Sequence, residues 1–218
     1  TMKNKAQLLY ALTVFIATSF GILNAQSTPV GPEFGIKGGA NMSNLYSGDV
    51  DDKNAIYGFN AGFYAAFPIS DNIFIQPEIL YTTKGAELEY NSDFVSGVGR
   101  FRLNYIEVPL LVKFKLTQNF NIHVGGYASY LVDGKVTNES NAGGAFDFEE
   151  NINADDFNRF DAGLSAGVGV DFDPLSIGLR YNYGLTTVGK ERSFLGTNYT
   201  FPDAKNSNLS LYVSYKLN

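Results

Sequence analysis

The feature that most constrains this chain is a two-residue alternation that recurs along most of its length. Positions 105–116 read YIEVPLLVKFKL. Ile106, Val108, Leu110, Val112, Phe114 and Leu116 occupy the even positions, and Glu107, Lys113 and Lys115 fall between them. Successive side chains of a strand point to opposite faces, so this segment presents one apolar face and one charged face.

The same pattern returns in further segments. In 33–42, Phe34, Ile36, Ala40 and Met42 oppose Glu33, Lys37 and Asn41. In 57–67, Tyr57, Phe59, Ala61, Phe63 and Phe67 oppose Gly58, Asn60, Gly62 and Tyr64. In 73–84, Ile73, Ile75, Ile79 and Tyr81 oppose Gln76, Glu78, Thr82 and Lys84. Segments 120–132, 160–172, 175–186 and 209–217 alternate likewise. Three connections are short and carry turn residues, at Ser70-Asp71-Asn72, Gln118-Asn119 and Asp173-Pro174. Four are long and polar, over 43–56, 88–99, 133–158 and 187–207. Long and short connections in strict alternation predict an antiparallel meander with every long loop at one end. Strands of about 10 residues in this number are enough to close a small barrel.

Periodicity alone does not say which face is inside. Three features place the apolar face outside. The polar face is rich in small residues, as in Gly163, Ser165, Gly167 and Gly169, which suit a crowded interior and would only weaken a solvated surface. The apolar face carries aromatics near strand ends, among them Phe34, Tyr57, Phe67, Tyr81, Phe114, Phe120, Tyr130, Phe160, Phe172 and Tyr183. Two such girdles mark a membrane barrel. The long-loop/short-turn asymmetry points the same way. Sheet in hydrocarbon must close on itself, because unpaired backbone groups there cost several kcal/mol each. The expected fold is therefore all-β: a closed, eight-stranded, antiparallel, up-and-down transmembrane β-barrel.

The charges on the alternate face then line the lumen. Glu33, Lys37, Glu78, Lys84, Glu107, Lys113, Lys115, Asp161, Asp171, Arg180 and Lys216 are nearly balanced in sign. Charges in a narrow interior need partners or water. The expected polar network comprises Lys37, Glu78, Glu107, Lys113, Lys115, Asp161 and Arg180, with Lys37, Lys113 or Arg180 countering Glu78 and Glu107. Pro77 and Pro109 fall inside strands and cannot donate to the ladder, which predicts a β-bulge beside each.

Residues 1–25 are of another kind. Lys3 and Lys5 precede a mostly apolar run from Leu8 to Leu23, and Leu23-Asn24-Ala25 ends on a small residue. This is the layout of a secretory signal peptide cut after Ala25, leaving 26–218 as a single barrel domain. The chain has no cysteine, so disulfides and thiolate metal sites are excluded. A net charge of −6 argues against nucleic acid as a partner.

Several segments resemble the PorT-like family of small outer-membrane β-barrel proteins of the Bacteroidota. They are FGIKGGANMSNL at 34–45, GFNAGFYAAF at 58–67, IFIQPEILYTTKGA at 73–86, LNYIEVPLLVKFKL at 103–116 and IGLRYNYGLT at 177–186. The resemblance implies a closed outer-membrane barrel with periplasmic termini and extracellular long loops. The family's name-giving member is associated with type IX secretion and gliding machinery. The resemblance brings no catalytic residues with it.

No enzymatic chemistry is expected from the residues. His123 is the one histidine, and it lies just past a short turn, facing inward and far from the long-loop end. The acidic loop 133–158 holds Asp133, Glu139, Asp147, Glu149, Glu150, Asp155 and Asp156 against Lys135, without the spacing of a calcium loop, and reads as a solvated surface. No cofactor or metal is expected. The functional expectation is a structural or interaction role in contact with outer-membrane lipid and with other envelope proteins. The alternative is a narrow channel for small solutes or ions.

Overall fold

The computed structural model describes residues 31–46, 53–91, 96–140, 148–151, 158–188, 191–194, 197–200 and 204–218. The leader expected over 1–25 lies outside them. Eight strands form the barrel: β1 Glu33–Tyr46, β2 Ile56–Ser70, β3 Ile73–Asn91, β4 Ser96–Lys115, β5 Phe120–Ser140, β6 Phe160–Phe172, β7 Leu175–Thr187 and β8 Lys205–Lys216. Each pairs antiparallel with its neighbours in sequence, and β1 pairs with β8 from Gly35↔Lys216 to Tyr46↔Lys205, which closes the barrel. The C-terminus also ties back to β1. The Leu217 amide donates to the Phe34 carbonyl at 2.8 Å, and the Phe34 amide donates to Asn218 Oδ1 at 2.7 Å.

The alternation decides the faces as expected. In β4, Leu110 is 58 % exposed and Glu107 is 2 % exposed. In β7, Ile177, Leu179 and Tyr181 are exposed while Arg180 and Asn182 are buried. An apolar exterior around a polar interior inverts the usual globular arrangement and suits a hydrocarbon solvent. Aromatics ring both ends of the apolar band. Phe34, Phe120 and Phe172 are exposed near the short turns, and Tyr57, Tyr130, Phe160 and Tyr183 near the long connections. Phe34 and Phe67 meet edge to face at 6.1 Å, and Phe59 stands 5.9 Å from Tyr81.

Two expectations need correction. The first concerns the long connections. β3, β4 and β5 run to 19, 20 and 21 residues, well past the span of the other strands, so most of 88–99 and the first part of 133–158 are strand rather than loop. Lys53–Asn54 pairs with β3, Phe148–Asn151 pairs with β5, and Glu191–Phe194 forms a hairpin with Thr197–Thr200. The polar composition of these stretches, without an apolar alternation, hid the strand.

The second concerns the prolines: no bulge accompanies either. The β2–β3 ladder pauses between Tyr64↔Glu78 and Phe67↔Ile75, opposite Pro77, and resumes in the same register. The β3–β4 ladder pauses between Pro77↔Leu110 and Leu80↔Glu107, at Pro109, again in register. Each proline simply leaves out the bonds its missing N–H would have made to one neighbour. Register shifts occur instead at Pro68/Ser70, Asn104/Tyr105 and Lys205/Ser207. Glu78 and Glu107 therefore keep the inward face that the alternation gives them.

Gly85, in β3, has φ +155° and sits so close to the Phe101 carbonyl that a Cβ there would fall 1.8 Å from its oxygen. Only glycine fits. The buried Ser43 hydroxyl of β1 accepts from the Gly85 amide at 3.0 Å and donates to its carbonyl at 3.3 Å.

Candidate functional site

The interior is layered along the barrel axis. Nearest the short turns, Lys113 pairs with Asp171 at 3.0 Å, and Asp171 also accepts from Ser176 at 2.7 Å and from Asn121 at 3.0 Å. Lys115 reaches Glu33 at 3.7 Å, and Lys216 pairs with Asp173.

The next layer is centred on Glu78 of β3. Its carboxylate accepts from Arg180 Nη1 at 2.7 Å and Nη2 at 2.8 Å, from Lys37 Nζ at 2.9 Å and from Gln76 at 2.7 Å. The fork geometry of guanidinium on carboxylate makes this the strongest class of charged hydrogen bond. Arg180 Nε also donates to His123 Nε2 at 3.3 Å. Lys37 Nζ lies 3.6 Å from the centre of the Tyr212 ring, so an aromatic face covers the side of the cation that no carboxylate reaches.

Beyond it, Lys84 pairs with Glu107 at 2.6 Å and with Asp161 at 3.2 Å. Asp161 further accepts from Thr186 at 2.9 Å, Asn206 at 3.0 Å, and Tyr127 and Ser129 at 3.3 Å each. Asn182 donates to Glu107 at 3.1 Å. The Glu78 layer holds two cations and one carboxylate, and the Lys84 layer holds one cation and two carboxylates. Their excess charges are opposite and offset across a small void lined by Lys37, Arg180, Glu107 and Asn182. Desolvation of so many ions is tolerable only because each is paired and hydrogen-bonded.

Toward the long connections the interior turns apolar. Leu45, Ala86, Leu103, Tyr105, Leu131, Val188 and Ala204 form one buried cluster. An apolar layer inside a barrel read as polar throughout was not legible in the sequence, because its members come from segments taken for loops or strand ends.

Of the residues expected to meet in the interior, Lys37, Glu78, Glu107, Asp161 and Arg180 are buried there. Lys113 and Lys115 lie partly exposed at the short-turn mouth. The partner assignment needs one correction. Glu78 takes Lys37 and Arg180, but Glu107 takes Lys84, and Lys113 takes Asp171. The stagger between strands puts Lys84 beside Glu107, and the alternation pattern carries no information on stagger.

Inward aromatics explain the glycine-rich strand. Tyr212 faces Gly39 on one side and Gly178 on the other, and its ring crosses Gly178 toward Gly169. A Cβ on Gly178 would lie 2.5 Å from the ring carbon that bears the hydroxyl. His123 lies over Gly167, Tyr127 over Gly163 and Tyr64 over Gly35, each directly across the ladder. Large side chains fit a narrow lumen by lying flat on glycines of the adjacent strand.

Residues 24–189 match the family described as outer membrane protein beta-barrel domain. The chain belongs to this family. It is an outer-membrane β-barrel, and its exposed apolar band is the surface that meets lipid. No curated protein matches the outer-membrane barrel. Solved structures similar to it include the attachment invasion locus protein Ail of Yersinia pestis, 17% identical over 86% of this chain and 100% of that one, with a TM-score of 0.48. Neisserial surface protein A is 19% identical over 86% of this chain and 100% of that one, also at 0.48. OprG from Pseudomonas aeruginosa is 9% identical over 86% of this chain and 96% of that one, at 0.43.

Proposed function

We propose that the outer-membrane barrel is a closed anchor that presents its long connections on the cell exterior, with its termini in the periplasm, and acts through contacts with other envelope proteins. The resemblance to PorT-like barrels suggests a subunit of an envelope or type IX secretion assembly, and a leader over 1–25 would deliver the chain across the inner membrane. The observation that carries this reading is the filled lumen. Two ion-pair layers and an apolar cluster stand in series along the axis. A closed interior suits a protein that works through its surface rather than through a pore.

Affinity capture of the tagged barrel from crosslinked, detergent-solubilised outer membranes tests the reading. The expected result is a defined set of envelope proteins, lost when the residues between β5 and β6 are shortened. Recovery of lipid and barrel alone would count against it. The competing channel reading predicts steady unitary conductance in planar bilayers that changes in Glu107→Gln. The anchor reading predicts a silent bilayer.

A further inference from the structure

At the short-turn end the interior opens into a cavity of about 210 Å³. Its charged lining is balanced: Lys113, Lys115 and Lys216 stand against Glu33, Asp171 and Asp173. A net cation or a net anion entering this space meets as much repulsion as attraction. A neutral molecule with one positive and one negative end meets partners at both.

Two buried side chains give the cavity directional chemistry. Asn121 is 2 % exposed, lines the cavity, and its Oδ1 has no hydrogen-bond partner. The amide cannot simply turn over, because Nδ2 donates to Asp171 Oδ2 at 3.0 Å and a carboxylate accepts only. A buried carbonyl oxygen without a donor is costly and calls for one. His123 is 3 % exposed and lines the same cavity. Its Nε2 accepts from Arg180, which can only donate, so the neutral ring carries its proton on Nδ1 as a donor. An unmet acceptor next to the Asp171 contact and a donor beside Lys113 thus belong to two residues that line one cavity. The mouth is the way in, because the Glu78–Arg180 layer lies behind the cavity.

We propose that this cavity binds a small zwitterion bearing a primary ammonium and a carboxylate. The ammonium donates to Asn121 Oδ1 and pairs with Asp171, and the carboxylate accepts from His123 and pairs with Lys113. This is a one-sided binding site, independent of which proteins the barrel contacts, and the ligand leaves by the mouth it entered.

The test uses the refolded barrel in detergent micelles, with the Asn121 side-chain amide and the His123 ring followed by NMR. β-Alanine is the probe. Propionate supplies the anion alone, ethylamine the cation alone, and trimethylated β-alanine both charges with no N–H to donate. Saturable shifts at both residues are expected with β-alanine, and binding at least about tenfold weaker with each of the others. Asn121→Ala, once shown to fold by heat-modifiable gel migration, is expected to weaken β-alanine binding by a similar factor. If that variant does not fold, the trimethylated comparison on the unaltered protein decides. No saturable shift with β-alanine, or equal response to all four compounds, overturns the proposal and leaves the cavity to water.

Discussion

Arg180 and Glu78 meet through two parallel hydrogen bonds of 2.7 and 2.8 Å, although β7 and β3 stand on opposite walls of the barrel. The pair is a strut across the lumen, and Lys37 from β1 braces it from the side. Removing the carboxylate leaves two buried cations facing each other. Glu78→Ala is expected to destabilise the barrel by about 3–5 kcal/mol. Replacing Lys37, Glu78 and Arg180 together by apolar residues of similar volume is expected to recover much of that loss. Urea unfolding in micelles, read by tryptophan-free far-ultraviolet circular dichroism, gives both values. Equal losses in the single and triple variants would mean that unpaired charge is not the cause.

Glycine positions should divide by what lies over them. Gly178→Ala drives a methyl into Tyr212 and is expected to cost about 1–3 kcal/mol. Gly169→Ala meets only the Asn121 amide at 3.0 Å and the Tyr212 hydroxyl at 3.2 Å, and should cost less. Gly38→Ala, with its nearest atom 3.6 Å away, should stay within about 0.5 kcal/mol of the parent. The same unfolding measurement ranks them, and a reversed order would remove the ring-on-glycine account of the lumen.

The lipid-facing band makes a depth-dependent prediction. Leu179, exposed between the two aromatic girdles, becomes Arg at an expected cost of about 2–4 kcal/mol. Phe172→Arg, at the girdle near the short turns, should cost about 0–1 kcal/mol. Folding equilibria in phospholipid vesicles resolve the difference. Equal tolerance at both sites would deny that this band contacts hydrocarbon.

The paused ladder at Pro109 can be closed. Pro109→Ala supplies the N–H that faces Glu78 on β3 without altering register. One additional slowly exchanging amide is expected at position 109, with stability changed by no more than about 1 kcal/mol. Loss of the neighbouring pair Leu80↔Glu107 in the exchange pattern would show that the proline holds the register after all.

Much of this architecture was legible residue by residue. Leu110 out and Glu107 in follow from parity alone, and the three short turns follow from Asp-Asn, Gln-Asn and Asp-Pro. What was not legible has separate causes. Stagger put Lys84 rather than Lys113 beside Glu107, and β3, β4 and β5 continue as strand through polar sequence that reads as loop. Bulges were expected where Pro77 and Pro109 merely interrupt pairing.

By itself the sequence determined the number of barrel strands, their direction and which side of each one meets apolar surroundings, because a strand's side-chain period is fixed by backbone geometry. Only the tertiary structure decided which inward residues touch. Closing the sheet brings strands four apart in order to opposite sides of one narrow lumen, and the heights at which their side chains cross depend on register, to which a two-residue period is blind.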